Sequence, residues 1–440
     1  MKQSALLILL LGLTVISCNQ KDPWTDLIGE NLDNWEQLNG RAVYRIVDGA
    51  IEGSTVTNSP NSFLCTKEHY DDFILEFDVL VDPVINSGVQ IRSHSLPAYD
   101  NGRVHGYQVE IDPEPRAWSG GIYDEARRMW LYPLDRNPQG RKAFINGQFN
   151  HFRVEAIGNS IRTWCNGLPC ADLYDDMTAS GFIGLQVHDI GTDSTKAGKK
   201  VIWKNIRIIT EDVESYATPY TKELPQNSYL VNVLSPREME EGWKLLFDGN
   251  TNVGWRSVDD GSFPAEGWII EEGEIRRTGP GKDIITGNTF SNFELILDFK
   301  YMNGTNSGIK YFVSGDSDND PHYKLGCEYQ IVDGRAFPSL PGKERIGGLY
   351  DLISPLNPRD NGPGIWNRAR IVVKGRHVEH WLNNQMTLEY DRGSAQWKKL
   401  LAASKFSDIP AFGEAGEGHI LLQNHEGSGV AFRSIKIKEH

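Results

Sequence analysis

Hydrophobic and polar residues alternate with a period of two along most of the chain after residue 24. Such a period places successive side chains on opposite faces of a β-strand. Sequence patterns typical of helices are confined to 236–242 and 393–404. Many short strands separated by Gly, Asn and Asp turns predict an all-β protein of the sandwich or jelly-roll class. The clearest strand segments are "FILEFDVLV" (73–81), "GYQVEID" (106–112), "HFRVEAIG" (151–158) and "FELILDF" (293–299).

The same series of short motifs occurs twice in the same order. "GGIYDE" at 120–125 nearly recurs as "GGLYDL" at 347–352, and "NSG" at 86–88 recurs at 306–308. "GFIGLQVHD" (181–189) likewise corresponds to "GHILLQNHE" (418–426) near the end of the second copy. Matching blocks in one order indicate a tandem duplication. We therefore predict one domain at 25–211 and a second at 241–440, joined by a polar, proline-containing linker at 212–240.

The first 18 residues have the pattern of an export signal. "MKQSALLILLLGLTVISC" carries one lysine and an apolar run that is short for a membrane span. Its end is similar to a lipoprotein cleavage site, so residues 1–18 are predicted as a lipoprotein signal with Cys18 as the lipidated residue. A plain secretory signal is the alternative. With "NQKD" next, we expect lipid anchoring in the envelope of a Gram-negative, Bacteroidetes-like bacterium, in the periplasm or at the outer-membrane surface.

Composition narrows the classes of partner. The net charge of −14 argues against nucleic acid, because binding a polyanion requires a basic surface. The predicted membrane contact is through the lipid anchor alone. An acidic chain rich in aromatic residues, Gly and Asn suits neutral carbohydrate. Export also implies an oxidising compartment, where Cys165 and Cys170 either form a disulfide or stay as free thiols.

Polar residues that survive in both copies are candidates for function. Of the 11 histidines, one pair matches, namely His188 and His425. Each lies two residues after a glutamine on the same predicted strand face, Gln186 in the first copy and Gln423 in the second. A structural histidine is the alternative to a functional one.

The strand at 106–112 carries polar residues on one face. Gln108, Glu110 and Asp112 share that face, and the second copy has Glu328 and Gln330 in the matching positions. Both copies therefore keep a carboxylate beside a carboxamide. This face is either a solvated outer surface or the floor of a ligand site. On the preceding strand, the pattern places Gln90 and Arg92 on one face in the first copy, and Lys310 and Phe312 in the second.

The repeated glycine-pair motif supplies a tyrosine and an aspartate in each copy. These are Tyr123 and Asp124 in the first copy, and Tyr350 and Asp351 in the second. A phenol and a carboxylate suit sugar hydroxyls, although the aspartate equally suits capping of backbone amides. Cationic residues close in sequence are Arg128 in the first copy and Arg345 in the second.

Sequence motifs for other chemistries are missing. The chain has no phosphate-binding glycine loop, HExxH motif, paired CxxC motif or nucleophile elbow. No cofactor is firmly implied. A divalent metal held by histidine and carboxylates stays open, because no ligand spacing demands one.

At these motifs the chain resembles two copies of the 3-keto-disaccharide hydrolase family. The resemblance rests on "LLFDGNTNVGW", "NSGIKYF", "EYQIVD", "GGLYDLISP" and "GHILLQNHE" in the second copy. The first copy contributes "NSGVQIR", "YQVEID" and "SGGIYDEARRMWLYP", but opens with "LIGENLDNW" where the second has "LFDG". The resemblance implies a concanavalin A-like β-sandwich and cleavage of glycosides already oxidised at C3, by a hydrolase or a lyase with hydratase activity.

That substrate class suggests roles for the candidate residues. A C3 ketone acidifies the C2 proton, so a modest base removes it while cations and hydroxyls stabilise the enolate. Elimination of the C1 oxygen and addition of water then cleave the glycoside. The predicted catalytic residues are His425, Glu328, Lys310, Arg345 and Tyr350, with His188 and Glu110 as first-copy counterparts. Predicted substrate-binding residues are Gln330, Asp351, Gln423, Arg92, Gln108, Asp112, Tyr123, Asp124, Arg128 and Gln186.

Two alternatives use the same residues differently. A laminarinase-type retaining β-glucanase needs the pattern ExDxE on one strand, and the first copy contains Glu110, Asp112 and Glu114. The second copy lacks that pattern, and Pro113 would disturb the strand. The other alternative is a pair of carbohydrate-binding modules without catalytic activity.

Overall fold

A computed structural model describes residues 22–318, 320–425, 427 and 429–440. The predicted signal peptide and the lipidation residue Cys18 lie outside the described residues. Within the described part of the chain, no helix combines the length and apolar character that crossing a membrane would require.

The first domain is built from two antiparallel sheets. The back sheet has the order β3-β4-β15-β6-β11-β12-β13, with β1 added on β15. The front sheet has the order β2-β5-β14-β7-β8-β9-β10. The strands are β1 (Thr25–Asp26), β2 (Trp35–Leu38), β3 (Val43–Val47), β4 (Ala50–Ser54), β5 (Ser62–Thr66), β6 (Phe73–Val81), β7 (Ser87–His94), β8 (His105–Ile111), β9 (Ile122–Glu125), β10 (Met129–Tyr132), β11 (Asn150–Ile157), β12 (Ser160–Cys165), β13 (Leu168–Tyr174), β14 (Phe182–Val187) and β15 (Lys200–Ile209).

The connection between the domains contains helix α1 (Val213–Tyr216), strand β16 (Asn227–Ser228) and helix α2 (Pro236–Glu240). Strand β16 pairs in parallel with β13 and so extends the back sheet of the first domain. The same stretch contacts the second domain, where Arg368 Nη1 donates to the carbonyl of Ser228 at 2.7 Å. The residues predicted as a linker are therefore packed between the two sandwiches.

The second domain repeats the architecture with a smaller front sheet. Its back sheet has the order β19-β20-β29-β22-β25-β26-β27, with β17 on β29, and its front sheet is β18-β21-β28-β23-β24. Helix α3 (Ala395–Ala402) follows β27. The strands are β17 (Lys244–Leu245), β18 (Trp255–Ser257), β19 (Trp268–Glu271), β20 (Glu274–Arg277), β21 (Ile284–Thr286), β22 (Phe293–Tyr301), β23 (Asn306–Val313), β24 (Cys327–Val332), β25 (Trp366–Lys374), β26 (His377–Leu382), β27 (Gln385–Asp391), β28 (His419–Leu422) and β29 (Val430–Glu439).

Each domain has its own apolar core between its two sheets. In the first domain Val109 of the front sheet packs in the same cluster as Phe77 and Phe152 of the back sheet, whose rings stack at 5.1 Å. In the second, Tyr329 and Phe299 occupy the equivalent layers. Burying these side chains is the main stabilising contribution to each sandwich. The polar residues that alternate with the core residues consequently point to the outer faces.

The prediction of two tandem jelly-roll sandwiches is confirmed by this architecture. The strand pairing also repeats in detail, because Gln90 pairs with Gln108 and Gly184, while Lys310 pairs with Glu328 and Leu421. The two predicted helical segments contain α2 and α3. All four described cysteines are buried free thiols, so the two thiols of Cys165 and Cys170 are not bridged.

Candidate active site

The front sheet of each domain carries a polar cavity on the face opposite the core. In the first domain the cavity has a volume of about 260 Å³. Strand β8 supplies Gln108 and Glu110, strand β14 supplies Gln186, and His188 follows β14 directly. These residues reach one cavity because period-two alternation turns the intervening Val109 and Leu185 into the core.

Glu110 lies at the centre of a hydrogen-bonded cluster. Its carboxylate accepts from Asn86 Nδ2 at 2.8 Å and from Gln108 Nε2 at 2.9 Å, and Arg116 Nη2 lies 3.3 Å away. The side chain of Gln90 donates in turn to Gln108 at 2.7 Å, which fixes the orientation of that carboxamide. Glu110 is 3% exposed. Burial raises its pKa to about 7, although the hydrogen bond from Asn86 acts to lower that pKa. Such a carboxyl is suited to accept a proton near neutral pH.

Around Glu110 the cavity offers further polar groups. Both polar atoms of the Gln186 carboxamide are buried and have no hydrogen-bond partner among the described residues. Because an orphaned buried amide is costly, this group is suited to bind a ligand. The Nδ1 atom of His188 lies 2.7 Å from the carbonyl oxygen of Asp189 and therefore donates to it, so a neutral ring has its acceptor at Nε2. Burial raises the pKa of Tyr123 to about 12, which keeps the phenol protonated as a donor.

The cavity of the second domain has a related but different set of residues. It has a volume of about 140 Å³. Lys310 Nζ lies 3.9 Å from Glu328 Oε2, and burial raises the pKa of Glu328 despite the opposing influence of Lys310. Gln330 donates to Asn306 at 3.1 Å, whereas its buried Oε1 has no partner among the described residues. Other predicted residues in the lining are Tyr350, Gln423 and His425.

Comparison with known proteins agrees with the duplication of the domain. The family model described as "3-keto-alpha-glucoside-1,2-lyase-like domain" matches residues 23–209 and again residues 242–438. The chain belongs to this family. The resemblance inferred from the repeated motifs is thereby confirmed.

Individual relatives match a stretch of this chain that is about one domain long. A 3-keto-disaccharide hydrolase of Bacteroides thetaiotaomicron is 37% identical over 230 residues, covering 45% of this chain and 78% of that protein. A crystallised glycosyl hydrolase candidate from Parabacteroides distasonis is 33% identical, with a TM-score of 0.44, covering 48% of this chain and 100% of that one. The CBM66 carbohydrate binding module from Bacillus subtilis is 14% identical with a TM-score of 0.28, covering 40% and 94% respectively.

Arg92 requires a correction, because the alternation that places it beside Gln90 is interrupted. Strand β7 has a register shift between Ile91 and His94, and Arg92 adopts a left-handed φ of 44°. The side chain is 1% exposed and is held by carbonyl oxygens and by Asp72. Arg92 therefore has a structural position away from the cavity of this family member.

The aspartate and arginine after the first glycine pair also pack elsewhere. Asp124 is fully buried and accepts from Arg127 Nε and Arg128 Nε at 2.7 and 2.6 Å. Arg128 pairs in addition with buried Asp175. This network joins the β9–β10 turn to the segment after β13. Tyr123 lines the cavity, but its neighbours Asp124 and Arg128 stabilise the fold around it.

Asp112 differs from its prediction because strand β8 ends at Ile111. Its carboxylate accepts from Arg116 Nε and from the backbone amide of Glu114, so it organises the following turn. Glu114 is exposed in that turn. The ExDxE pattern of a laminarinase-type site is therefore not presented along a single strand.

In the second domain, Arg345 and Asp351 lie outside the cavity lining. Arg345 is exposed and donates to the carbonyl of Pro338 at 3.4 Å. Asp351 accepts from Lys343 Nζ at 2.6 Å and from the backbone amide of Lys405 at 2.7 Å. The latter bond is the amide-capping role considered for this aspartate, and it helps to position Lys405, which does line the cavity.

Several residues that line the two cavities were not predicted from the sequence. Asn86 and Asn306 open the repeated "NSG" blocks, so their recurrence was an available signal. Arg116 lies over both Trp118 and Trp130, with its guanidinium 5.0 and 5.1 Å from the two ring centres. Other unpredicted lining residues include Asn61, Arg103 and Glu125 in the first domain and Lys405 and Phe406 in the second.

Metal binding has no structural indication in the described part of the chain. Among those residues, no group of three or more His, Cys, Asp and Glu side chains has an arrangement that could hold a metal ion.

Proposed function

We propose that this protein is an enzyme that cleaves glycosidic bonds of sugars oxidised to a ketone at C3. Membership of the 3-keto-alpha-glucoside-1,2-lyase-like family supports this substrate class, as does the 3-keto-disaccharide hydrolase relative. The observation that carries the proposal is a buried glutamate with a raised pKa in each front-sheet cavity, Glu110 in one domain and Glu328 in the other.

The proposed reaction begins with proton transfer from C2 to that glutamate. The C3 ketone delocalises the resulting negative charge onto its oxygen, where hydrogen-bond donors and cations stabilise the enolate. This role is supported by the cavity linings, which include Lys310 and Tyr350 in the second domain and Arg116 and Tyr123 in the first.

Collapse of the enolate forms a C1–C2 double bond and breaks the bond from C1 to the leaving oxygen. His188 or His425, in its imidazolium form, donates a proton to that oxygen and takes one back from the water that adds in the next step. Addition of water then gives C1 a hydroxyl group and C2 a hydrogen, so the net result is hydrolysis without any redox change. The unpaired carboxamide oxygens of Gln186 and Gln330 are available to sugar hydroxyls.

The decisive experiment compares a glucoside with its 3-keto form in D₂O. We expect cleavage of the keto form alone, with one deuterium at C2 of the released sugar in excess of an enzyme-free control. Cleavage of both substrates without deuterium at C2 would instead indicate a retaining glucanase. Binding without cleavage of either would indicate a carbohydrate-binding protein.

Variants assign the base in this assay. Glu110→Gln and Glu328→Gln should each abolish turnover in their own domain, and the double variant should lose all activity. Glu114→Gln is the matched control, because Glu114 is exposed and belongs to the same stretch of chain. Full activity in the double variant would exclude both glutamates as bases.

We further propose that Cys18 carries a lipid that anchors the protein in the cell envelope. The support is the sequence pattern before this residue. Cys18→Ser should move the protein from the membrane fraction to the soluble fraction and should remove the acyl mass from its N-terminal peptide. Membrane association that is unaffected by this substitution would contradict the proposal.

A further inference from the structure

The cavity of the first domain continues into a larger space. A second cavity of about 630 Å³ shares the residues Asn61, Arg103, Glu125 and His188 with the cavity that holds Glu110. We call this second space the outer chamber. Its further lining includes Asn39, Pro60, Phe63, Asp100, Asn101 and Asp189.

The walls of the outer chamber are fixed by hydrogen bonds. Asn39 donates to the carbonyl of Gly102 at 3.0 Å and accepts from the amide of Val104 at 2.8 Å. Tyr99 donates to the carbonyl of Ala126 at 2.6 Å, which ties the same loop to the β9–β10 turn. A preformed wall reduces the ordering cost of binding. The shape of the chamber is therefore set by the protein itself.

The second domain differs at the corresponding position. Its cavity has only about 140 Å³, against about 260 Å³ for the cavity that holds Glu110. The segment 392–418 between β27 and β28 contains α3 and brings Lys405 and Phe406 into the lining, whereas the first domain has only 175–181 between β13 and β14. The longer connection thus narrows the second site.

We propose that the first domain takes 3-keto-glycosides whose leaving group extends beyond one sugar ring, and that the second domain takes only substrates with a small leaving group. This inference rests on the proposed function, because the ring that loses its C2 proton must lie at Glu110. His188 and Glu125 lie where the two spaces meet, so the bond to be broken is located there. The rest of the leaving group occupies the outer chamber.

The charges of the outer chamber specify a neutral leaving group. Three carboxylates, those of Asp100, Glu125 and Asp189, face one guanidinium, Arg103, and one imidazole, His188. Arg103 already lies 3.3 Å from Glu125 and 3.6 Å from Asp100. An anionic group would meet excess negative charge. Asn61 and Asn101 suit the hydroxyl groups of neutral sugars.

Binding tests the chamber independently of turnover. The probes are cellotriose, maltotriose and trigalacturonate, titrated calorimetrically into the full chain. Pro60→Trp places an indole in the chamber and should weaken trisaccharide binding at least 10-fold. Pro83→Trp, in an exposed turn of the same domain, is the matched control and should leave binding unchanged. Trigalacturonate should bind at least 10-fold more weakly than the neutral trisaccharides.

Kinetics test the difference between the domains. For each variant, kcat/KM for a 3-keto-trisaccharide is divided by kcat/KM for 3-keto methyl glucoside. This ratio should be at least 10-fold lower in Glu110→Gln, which leaves the second domain active, than in Glu328→Gln, which leaves the first domain active. Equal ratios would overturn the inference, as would trisaccharide affinity that Pro60→Trp does not change. Absence of any keto-sugar cleavage would refute the proposed function, while the binding titrations would still decide whether the chamber holds a neutral oligosaccharide.

Discussion

Lys310 and Glu328 face each other across strands β23 and β24, with Lys310 Nζ 3.9 Å from Glu328 Oε2. At the same register of the first domain, Gln90 donates to Gln108 at 2.7 Å, and the carboxylate lies two residues further along the same strand face, at Glu110. The duplicated sites therefore differ in how charge is arranged around the glutamate. In the second domain the cation beside the glutamate is Lys310, and in the first it is Arg116.

This arrangement predicts that Lys310 is needed for turnover in the second domain. In a Glu110→Gln background, Lys310→Met should lower kcat by about 100-fold, the usual effect of removing one donor to a developing oxyanion. The substitution should also raise the pKa of Glu328 further, because Lys310 opposes the effect of burial. The measurement is a pH profile of kcat on a 3-keto-glycoside. Lys300→Met on the back sheet is the control, and an equal effect there would refute a specific role for Lys310.

The pKa of Glu110 predicts how the first domain responds to pH. Its carboxyl must be ionised to accept a proton, so kcat/KM in a Glu328→Gln background should rise with pH and level off above about 7. Asn86→Ala removes a hydrogen bond that lowers this pKa, and should therefore move the midpoint to higher pH. Asn34→Ala, an exposed asparagine outside the cavity, should leave the profile in place. A midpoint unchanged by Asn86→Ala would mean that another group controls the acidic limb.

Glu110 also links stability to pH. Its pKa is higher in the folded protein than the value of about 4.3 expected in the unfolded chain. The folded state therefore binds the proton of Glu110 more tightly than the unfolded chain does. The resulting stabilisation is complete at pH values below about 4.3 and is lost as pH rises through about 7. Thermal unfolding of the first domain at pH 5 to 9 should show this decline, and Glu110→Gln should reduce it. An identical pH dependence in both proteins would contradict the assignment.

Much of this architecture follows from the sequence by elementary rules. Period-two alternation placed Gln108 and Glu110 on one face, because a regular strand leaves no alternative. Recurrence in two copies pointed to His188 and His425 near the cavity edge. The same rule failed at Arg92, where a bulge with a left-handed φ interrupts the alternation, and nothing in the surrounding sequence reveals that bulge.

The sequence did not predict the lining residues that come from non-repeated segments, and the reason is a different one. Lys405 and Phe406 come from the connection that follows α3, and Glu125 lies on a hairpin whose position depends on tertiary packing. Their approach to the cavities is set by contacts distant in sequence, such as the bond from the Lys405 amide to Asp351. Local patterns carry no information on such contacts.

The corrected position of Arg92 predicts an effect on stability rather than on chemistry. Its guanidinium donates to the carbonyls of Asp71 and Gly158 and to Asp72, at 2.7 to 2.8 Å. Arg92→Met should therefore destabilise the first domain by on the order of 3 kcal/mol, while kcat per folded molecule stays within twofold. Urea unfolding and turnover at low temperature measure the two quantities. Arg45→Met, at an exposed arginine whose partner Glu52 keeps a second ion pair with Lys200, should cost at most about 1 kcal/mol. A large loss of kcat in folded Arg92→Met protein would return this residue to the active site.

Arg368 predicts how strongly the second domain is tied to the connecting segment. Its Nε donates to Asp298 at 2.8 Å, its Nη1 donates to the carbonyl of Ser228 at 2.7 Å, and its guanidinium lies 3.7 Å from the ring centre of Tyr229. Arg368→Met leaves the buried carboxylate of Asp298 without its nearest cation and should cost about 3–5 kcal/mol in the free energy of unfolding of the second domain.

Hydrogen exchange distinguishes this link from a purely internal ion pair. Because Arg368 also holds the carbonyl of Ser228, Arg368→Met should speed amide exchange at 227–232 as well as in β25 and β22. Arg276→Met removes a partly exposed pair with Glu271 in the same domain and should change stability by at most about 1 kcal/mol without affecting 227–232. If exchange at 227–232 stays slow in Arg368→Met, the connecting segment is held by other contacts, such as the parallel pairing of β16 with β13 and the bonds of Asn232 to Ser434 and Gly273, and not by this arginine.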